Sequence, residues 1–344
     1  MNAAAAFPVT DESGVAGPRR VVQWLASQIG FSDERAGRAA LIVSELGTNL
    51  FKHARQGEIL IQPLYSAGGE REGVEVTSVD AGPGMPDLDG SRRDGFSTRG
   101  TLGHGLGAIA RQSDFLDMYS QPAGTVIVSR LWREDPARSP RREPRYDVGT
   151  VQVAKTGEDV CGDAWAWRMR DGRLTIFVAD GLGHGLHAHD AAELAVRTFA
   201  QHHEKAPAQV IESVHAALRP TRGAAAAMLA LDVERGTAQY AGVGNVAGNI
   251  LPPAGGRHHL VSHNGTAGHT APRIQDFSYP VVAGSVIVLA SDGLATHWDL
   301  SAYRDSAQRC ASVIAALLYR DYTRRRDDLT VVVAKERPRV AEKQ

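Results

Sequence analysis

The sequence predicts an α+β protein of two domains in tandem: an α/β sandwich with a mixed or antiparallel sheet, followed by a layered α+β domain. Three observations predict it. The 344 residues, 43% hydrophobic and 22% charged, suffice for two ordinary soluble domains. Residues 133–145, Arg-Glu-Asp-Pro-Ala-Arg-Ser-Pro-Arg-Arg-Glu-Pro-Arg, hold prolines and arginines without a large apolar side chain, a connector composition that puts the boundary near residue 140. On either side, strand patterns come in runs interrupted by helices instead of alternating strictly as βαβ units.

In the first domain, Ser32-Asp-Glu offers a cap and an acidic first turn for a helix carrying Ile42, Leu46 and Leu50 at i, i+4, i+8. Glu45, Asn49 and His53 repeat at the same spacing, so a carboxylate, an amide and an imidazole project beside the apolar stripe. Strand patterns follow at 58–64, 74–79 and 125–131, with a helix over 106–113. In the second domain, strands are expected at 150–154, 174–179, 226–233, 237–240, 285–290 and 329–334. Helices are expected at 188–202, at 207–218, where Pro207 suits a first turn, and at 306–319.

Composition excludes several classes of function. A net charge of −1 offers no global attraction to nucleic acid or an anionic membrane, so neither is expected as a partner. Cys161 and Cys310 are too few for a disulfide framework and lack C-x-x-C spacing. No apolar stretch approaches the roughly 20 residues that span a bilayer, and the N-terminus lacks a basic leader; the expectation is a cytoplasmic protein in a reducing compartment.

Leu-Gly-His-Gly-Leu occurs twice, at 102–106 and 182–186. The flanks do not match, which argues against a duplication. The first copy follows Arg92, Arg93 and Arg99; the second follows an apolar strand ending in Asp180. One setting suits an anion, the other a cation.

Around the first copy, Asp80-Ala-Gly82-Pro-Gly84 closes a strand and Gly103-His104-Gly105-Leu106-Gly107 opens a helix. Glycines let backbone N–H groups approach a polyphosphate, and a helix N-terminus adds partial positive charge. Asp80 is suited to accept from an adenine amino group, Asn49 to give a neutral oxygen to Mg²⁺, and Glu45 to deprotonate an attacking hydroxyl or water. The ordered set Glu45-x-x-x-Asn49, Asp80-x-Gly82-x-Gly84 and Gly103-x-Gly105-x-Gly107 resembles the N, G1 and G2 boxes of the GHKL ATPases over residues 15–132. Gly105-Leu-Gly-Ala-Ile-Ala-Arg111 followed by Gly124-Thr-Val-Ile-Val128 is most similar to the RsbT and RsbW type of protein-serine kinase. The resemblance implies helices on one face of the sheet, bound ATP with Mg²⁺, Glu45 as catalytic base, Asn49 as Mg²⁺ ligand, Asp80 as adenine reader, the glycine loop from Gly103 to Gly107 around the phosphates, and a short lid over 85–101.

In the second half, Asp163 in Cys-Gly-Asp-Ala, Asp180 in Ala-Asp-Gly-Leu-Gly-His-Gly, Asp292 in Ala-Ser-Asp-Gly and the pair Asp327-Asp328 each sit at a strand end or turn. Turn aspartates are common, but Asp180 and Asp292 directly follow apolar strands whose ends can gather carboxylates. Such a cluster repels itself unless cations occupy it, and an all-oxygen set implies Mg²⁺ or Mn²⁺ over zinc. This order resembles the PPM family of metal-dependent serine/threonine phosphatases, and Asp180-Gly-Leu-Gly-His-Gly its SpoIIE, RsbU and RsbX branch, over residues 146–336. The resemblance implies an αββα sandwich holding two Mn²⁺ or Mg²⁺ ions. Asp180 would bridge both ions, with the Gly181 carbonyl, Asp163, Asp292 and Asp327 completing the shell; of the pair, Asp327 rather than Asp328 is expected to coordinate. Asp163 is followed by Ala-Trp-Ala-Trp-Arg, so an accessory acid found in many relatives is missing. His184, His187 and His189 lack a distant fourth ligand for zinc, and Cys161 lacks the arginine-rich phosphate loop of a thiol phosphatase, leaving a buried thiol as its expected role.

Together these readings predict a bacterial partner-switching protein. It would remove phosphate from phosphoserine or phosphothreonine on a STAS-domain (anti-anti-sigma or stressosome-like) regulator. Its ATP-binding domain would phosphorylate that partner or a related one. The alternative is a first domain that only senses ATP or binds a STAS protein or sigma factor; oligomeric state is left open.

Overall fold

The computed structural model describes residues 5–54, 57–85, 105–137, 143–271 and 273–337. The chain divides into two compact units, one of residues 2–66 and 70–142, the other of residues 143–344 together with 67–69. Among the described residues no helix is long and apolar enough to cross a membrane.

The first unit is a five-stranded sheet of β1 (Ala5–Pro8), β2 (Gly57–Tyr65), β3 (Arg71–Asp80), β4 (Phe115–Gln121) and β5 (Gly124–Trp132), in the order β1-β2-β3-β5-β4. Of the mixed and antiparallel alternatives it is the antiparallel one, since every described pairing runs antiparallel. Among the described residues, the helices α1 (Ala16–Ile29), α2 (Asp33–His53) and α3 (Gly105–Gln112) accompany it. Val22, Leu25, Ile42, Leu46 and Leu50 of α1 and α2 share a core with Ile59, Ile61, Val74, Val76 and Ile127 of the strands, as the period-3.6 and period-2 patterns require. Ser32 caps α2, its hydroxyl accepting from Arg35 N–H at 3.3 Å, and Asp33 and Glu34 fill the first turn. No element is expected from the sequence over Ala16–Ile29, which the structure shows as a helix. Pro18 sits in the first turn, where its missing N–H has no intrahelical partner to lose, and Gly30 ends the helix with φ 86°.

A buried ionic clamp fastens α2 to the end of α3. Asp114, just past α3, accepts from Arg35 Nη2 and from Trp132 N–H at 2.9 Å, while Arg35 Nε donates to the Trp132 carbonyl at 2.8 Å. Arg38 donates from Nη2 to the Gln112 carbonyl at 2.7 Å, completing the last turn of α3.

The second unit stacks two antiparallel sheets. One has the order β13-β10-β9-β8-β7, formed by β7 (Asp163–Arg170), β8 (Arg173–Gly181), β9 (Ala224–Asp232), β10 (Thr237–Val243) and β13 (Phe277–Pro280). The other has the order β12-β11-β14-β15-β6, formed by β6 (Tyr146–Val153), β11 (Ala247–Leu251), β12 (His258–Leu260), β14 (Val286–Ala290) and β15 (Leu329–Glu336). Strand alternation divides the apolar residues. Leu174, Ile176 and Val178 join Leu229, Ile287, Leu289 and Val332 in the core between the sheets. Phe177 and Ala179 face the other way, packing with Met228 against Phe199 of α4 (Leu186–His202) and Val210 and Val214 of α5 (Pro207–Ala217). On the far side, α6 (Ala311–Tyr322) lies on β6 and β15, so close that a Cβ on Gly149 would stand 2.1 Å from Ser312 N. The layers are therefore αββα.

The helix expected over 306–319 starts later. Residues Ser306–Gln308 form a separate 3₁₀ turn, and Asp147 of β6 supplies the cap, its Oδ2 accepting from Ala311 N–H at 2.7 Å. A cap contributed from 164 positions away leaves no local trace.

The clamp yields a stability prediction. Asp114→Ala would leave the nearly buried Arg35 guanidinium without its carboxylate and should destabilise the first unit by about 3–5 kcal/mol, measured by urea unfolding. A loss below about 1 kcal/mol would show that the clamp does not hold α2 and α3 together.

Candidate active sites

In the first unit, α2 and the start of α3 bring the expected nucleotide residues face to face. A Cβ placed on Gly105 would lie 3.2 Å from Asn49 Oδ1 and 3.4 Å from Glu45 Oε2. The Glu45 and Asn49 side chains, half-buried on α2, thus address the N-terminus of α3, whose unpaired N–H groups and dipole favour negative charge. Only a residue without a side chain fits there without displacing them. Leu106 packs against the core and Gly107 is buried, so both would serve a ligand through the backbone. Gly103, His104, the three arginines at 92, 93 and 99, and nearly all of the expected lid lie outside the described residues.

Asp80 ends β3, and its Oδ1 accepts from Gly82 N–H at 2.7 Å and Thr125 N–H at 3.2 Å, holding the carboxylate against β5. Gly82 is buried, and a Cβ there would meet the His53 carbonyl at 3.2 Å. Gly84 has φ 75°, and a Cβ on it would come within 2.2 Å of the Gln121 carbonyl. Both glycines are thus required by close backbone approach.

In the second unit, five aspartates spread from residue 163 to residue 328 converge at one end of the sandwich. Asp163 and Asp180 are register partners on β7 and β8. Alternation carries Asp180 onto the same face as Leu174, Ile176 and Val178, so the carboxylate takes the next inward position beyond the apolar core. Asp292 follows β14, and Asp327 and Asp328 precede β15, the neighbouring strand of the facing sheet. Burial raises the Asp180 pKa, reinforced by the charges of Asp163, Asp292, Asp327 and Asp328. Burial also raises that of Asp163, with Asp328 and Asp292 adding to it. Asp292 and Asp328 shift upward as well, again from burial first and then Asp327.

Hydrogen bonds fix these groups unequally. Asp163 is 2% exposed; its Oδ2 accepts from Ser291 Oγ at 2.6 Å, while its buried Oδ1 makes no hydrogen bond. Asp292 Oδ2 accepts from Asn245 Nδ2 at 2.6 Å. Asp328 is buried and accepts from Lys155 N–H at 2.9 Å, whereas Asp327 is exposed and accepts from Asp328 N–H at 3.0 Å. Gly181 sits where a Cβ would stand 2.1 Å from the Ala188 carbonyl, tying the end of β8 to α4. Among the described residues no three His, Cys, Asp or Glu side chains are already closed to coordination geometry. The chemistry of the set nevertheless fits a hard divalent ion: all donors are oxygen, two buried carboxylate oxygens, Asp163 Oδ1 and Asp328 Oδ2, make no hydrogen bond, and the charges repel one another.

Two residues given no role in the sequence reading matter here. Ser291 donates to Asp163 and accepts from Thr330 N–H at 2.9 Å, joining the two sheets beneath the cluster. Asn245 orients Asp292; the stretch Ala241-Gly-Val-Gly-Asn245 resembles the phosphatase family in sequence, but nothing in it assigns the asparagine a role. The histidines disperse: His184 Nδ1 pairs with Glu158 Oε1 at 2.5 Å and His189 Nδ1 with the Cys161 carbonyl at 2.9 Å. Cys161 is 2% exposed, and burial drives its thiol pKa well up.

Comparison with known proteins agrees with this division. Residues 7–131 match the histidine kinase-like ATPase domain, and residues 170–337 match the stage II sporulation protein E family. The chain is 31% identical over 133 residues to the serine/threonine-protein kinase RsbT of Bacillus subtilis (strain 168), covering 38% of this chain and 98% of RsbT. It is 27% identical over 184 residues to the phosphoserine phosphatase RsbX of the same organism, covering 53% of this chain and 90% of RsbX. A solved structure from the bacterial stressosome, described as a modular system adapted to control secondary messenger signalling, aligns with TM-score 0.53 and 30% identity over 56% of this chain and all of that one. Crystalline RsbX in complex with magnesium shares the fold, with TM-score 0.52 and 24% identity over 57% of this chain and 98% of that one. The chain belongs to the histidine kinase-like ATPase family through its first half, where it is similar to RsbT, and its second half matches the SpoIIE family and is similar to RsbX.

Proposed function

We propose that this protein is a bifunctional partner-switching enzyme whose second domain, residues 146–336, hydrolyses phosphoserine or phosphothreonine on a STAS-domain partner. A connector over 133–145 joins it to an ATP-binding domain over 15–132 that phosphorylates the same partner or a related one. The observation that carries the phosphatase reading is the convergence of five aspartates at the end of the sandwich, where burial and neighbouring carboxylate charge raise the pKa of Asp163, Asp180, Asp292 and Asp328.

Asp163, Asp180, the Gly181 carbonyl, Asp292 and Asp327 would hold two Mg²⁺ or Mn²⁺ ions. When bound, such a pair supplies an activated water and neutralises the phosphate. The chain's own residues do the positioning. Ser291 holds Asp163 rigid, Asn245 orients Asp292, and the Gly181 backbone is fixed against α4. Asp328, engaged with Lys155 N–H, acts as a support for its neighbour Asp327.

In the first domain, Asn49 would hold Mg²⁺ and Asp80 would read the adenine. Glu45, aimed at the same end of α3, would take the proton from the attacking serine hydroxyl. Opposed activities in one chain would let nucleotide state set the partner's phosphorylation level. The RsbT and RsbX likenesses support a cytoplasmic setting and a stressosome-like partner.

Three outcomes test these readings. First, a carboxyl whose pKa is raised by folding is protonated in the native state where the unfolded chain is already ionised. The metal-free domain therefore loses stability as pH climbs from the ordinary carboxylate range through the raised values. Added Mn²⁺ should accordingly raise the Tm by about 3 °C or more at pH 8 and by much less at pH 5.5, read by calorimetry against an EDTA control; equal shifts at both pH values would contradict the cluster. Second, Asp180→Asn should raise the Tm in EDTA at pH 8 and eliminate Mn²⁺-dependent hydrolysis of a phosphoserine peptide while ATP binding persists. Unaltered hydrolysis would refute the metal assignment. Third, Glu45→Gln should stop transfer of labelled phosphate from ATP to a purified STAS protein without weakening nucleotide binding. Stable association of the wild-type chain with that protein, with no phosphoserine formed, would establish a binding module in place of a kinase.

A further inference from the structure

The second Leu-Gly-His-Gly-Leu loop is built rigidly, yet it displays its two leucines to solvent. Leu182 is 55% and Leu186 62% exposed, although both flank a loop that begins two residues after Asp180. Three features hold that loop in place. Leu182 N–H donates to the Gly223 carbonyl at 3.0 Å, anchoring the chain as it leaves β8. Gly183 and Gly185 take φ values of 90° and 73°, a backbone course that residues with a Cβ resist. His184 pairs with Glu158, and a Cβ on Gly185 would stand 2.8 Å from Glu158 Oε2, so the carboxylate clamps the loop from one side. Folding therefore fixes the backbone without burying the leucines, and an ordered pair of exposed apolar side chains beside a catalytic cluster is the kind of patch that marks an interaction site.

The surroundings say what the patch fits. The Arg222 guanidinium stands beside Gly183, 3.3 Å from where a Cβ would be, so a cation lies against the loop that carries the two leucines. Two exposed apolar side chains and a cation on a loop that begins two residues after Asp180 complement a peptide segment in which a phosphorylated residue is flanked by apolar side chains. They offer nothing comparable to a small phosphate ester, which has no side chains to place on Leu182 and Leu186.

We infer that Leu182 and Leu186 form the docking rim for the phosphoprotein substrate and select segments with apolar residues beside the phosphoserine or phosphothreonine. This rests on the phosphatase reading above, and the test separates the two. The full-length chain with Mn²⁺ is assayed on p-nitrophenyl phosphate and on two phosphoserine peptides, one with leucine on both sides of the phosphoserine and one with glycine and serine there. The wild-type protein should favour the leucine-flanked peptide by at least about tenfold in kcat/KM, carried mainly by KM. Leu182→Ser/Leu186→Ser should reduce that preference to about twofold or less while p-nitrophenyl phosphate turnover stays within about twofold of wild type. Leu182→Met/Leu186→Met should restore the preference. Equal wild-type rates on both peptides, a preference that survives the serine pair, or a parallel loss of p-nitrophenyl phosphate turnover in the serine pair would each overturn the inference. A wild-type chain that hydrolyses none of the three substrates would overturn the phosphatase reading itself.

Discussion

Mutual repulsion among carboxylates at the end of the αββα sandwich is the constraint on which the second unit depends. Asp163, Asp180, Asp292, Asp327 and Asp328 come from the ends of four strands and lie together, and burial and neighbouring charge disfavour ionisation of Asp163, Asp180, Asp292 and Asp328. The surrounding structure is arranged to keep them there. Facing sheets donate Ser291 to Asp163, a glycine turn supplies Asn245 to Asp292, and the Gly181 backbone is pinned beneath α4. A packed apolar core could have continued to the ends of these strands; the chain instead gives up burial at the last inward position to assemble negative charge.

The first unit solves a related problem with the opposite sign. There the device is a helix N-terminus, with α2 presenting Glu45 and Asn49 toward Gly105 at the head of α3. What keeps α2 and α3 in that relation lies at the far end of α3, where Asp114 gathers Arg35 and the Trp132 N–H and Arg38 closes on the Gln112 carbonyl. A buried ion pair is a weak source of net stability, but it specifies one arrangement, since any other leaves a charge without its counterpart. On the proposed function, the two halves of the chain would thus position residues for the same chemical group, phosphate, by contrasting electrostatic means.

Much of both sites was legible in the sequence because the chemistry constrains local spacing. Glu45 and Asn49 share a helix face, Gly82 and Gly84 sit where the backbone tolerates no Cβ, and Asp180 and Asp292 terminate apolar strands. Less legible were elements whose pattern is broken or short: Phe115–Gln121 at a sheet edge, Asp163–Arg170 with its alternating tryptophans, and the edge strands His258–Leu260 and Phe277–Pro280. Edge strands bury only part of their surface, so their sequences carry little alternation to detect. The roles of Ser291 and Asn245 were not legible for a different reason. A serine or an asparagine in a turn is ordinary, and only the partner across the sandwich gives it a task.

By itself, then, the sequence determined which residue types stand at strand ends and on helix faces, since capping, periodicity and glycine geometry act over a few positions. It also determined that the two Leu-Gly-His-Gly-Leu segments lie in contrasting electrostatic settings. Only the tertiary structure decided that aspartates 165 positions apart share one field, that Asp328 is buried while Asp327 faces solvent, and that α6 begins where Asp147 caps it. It also decided that Leu182 and Leu186 stay exposed on a clamped loop. Those outcomes depend on which elements pack together, and burial and long-range charge are properties of that packing and not of any stretch of chain.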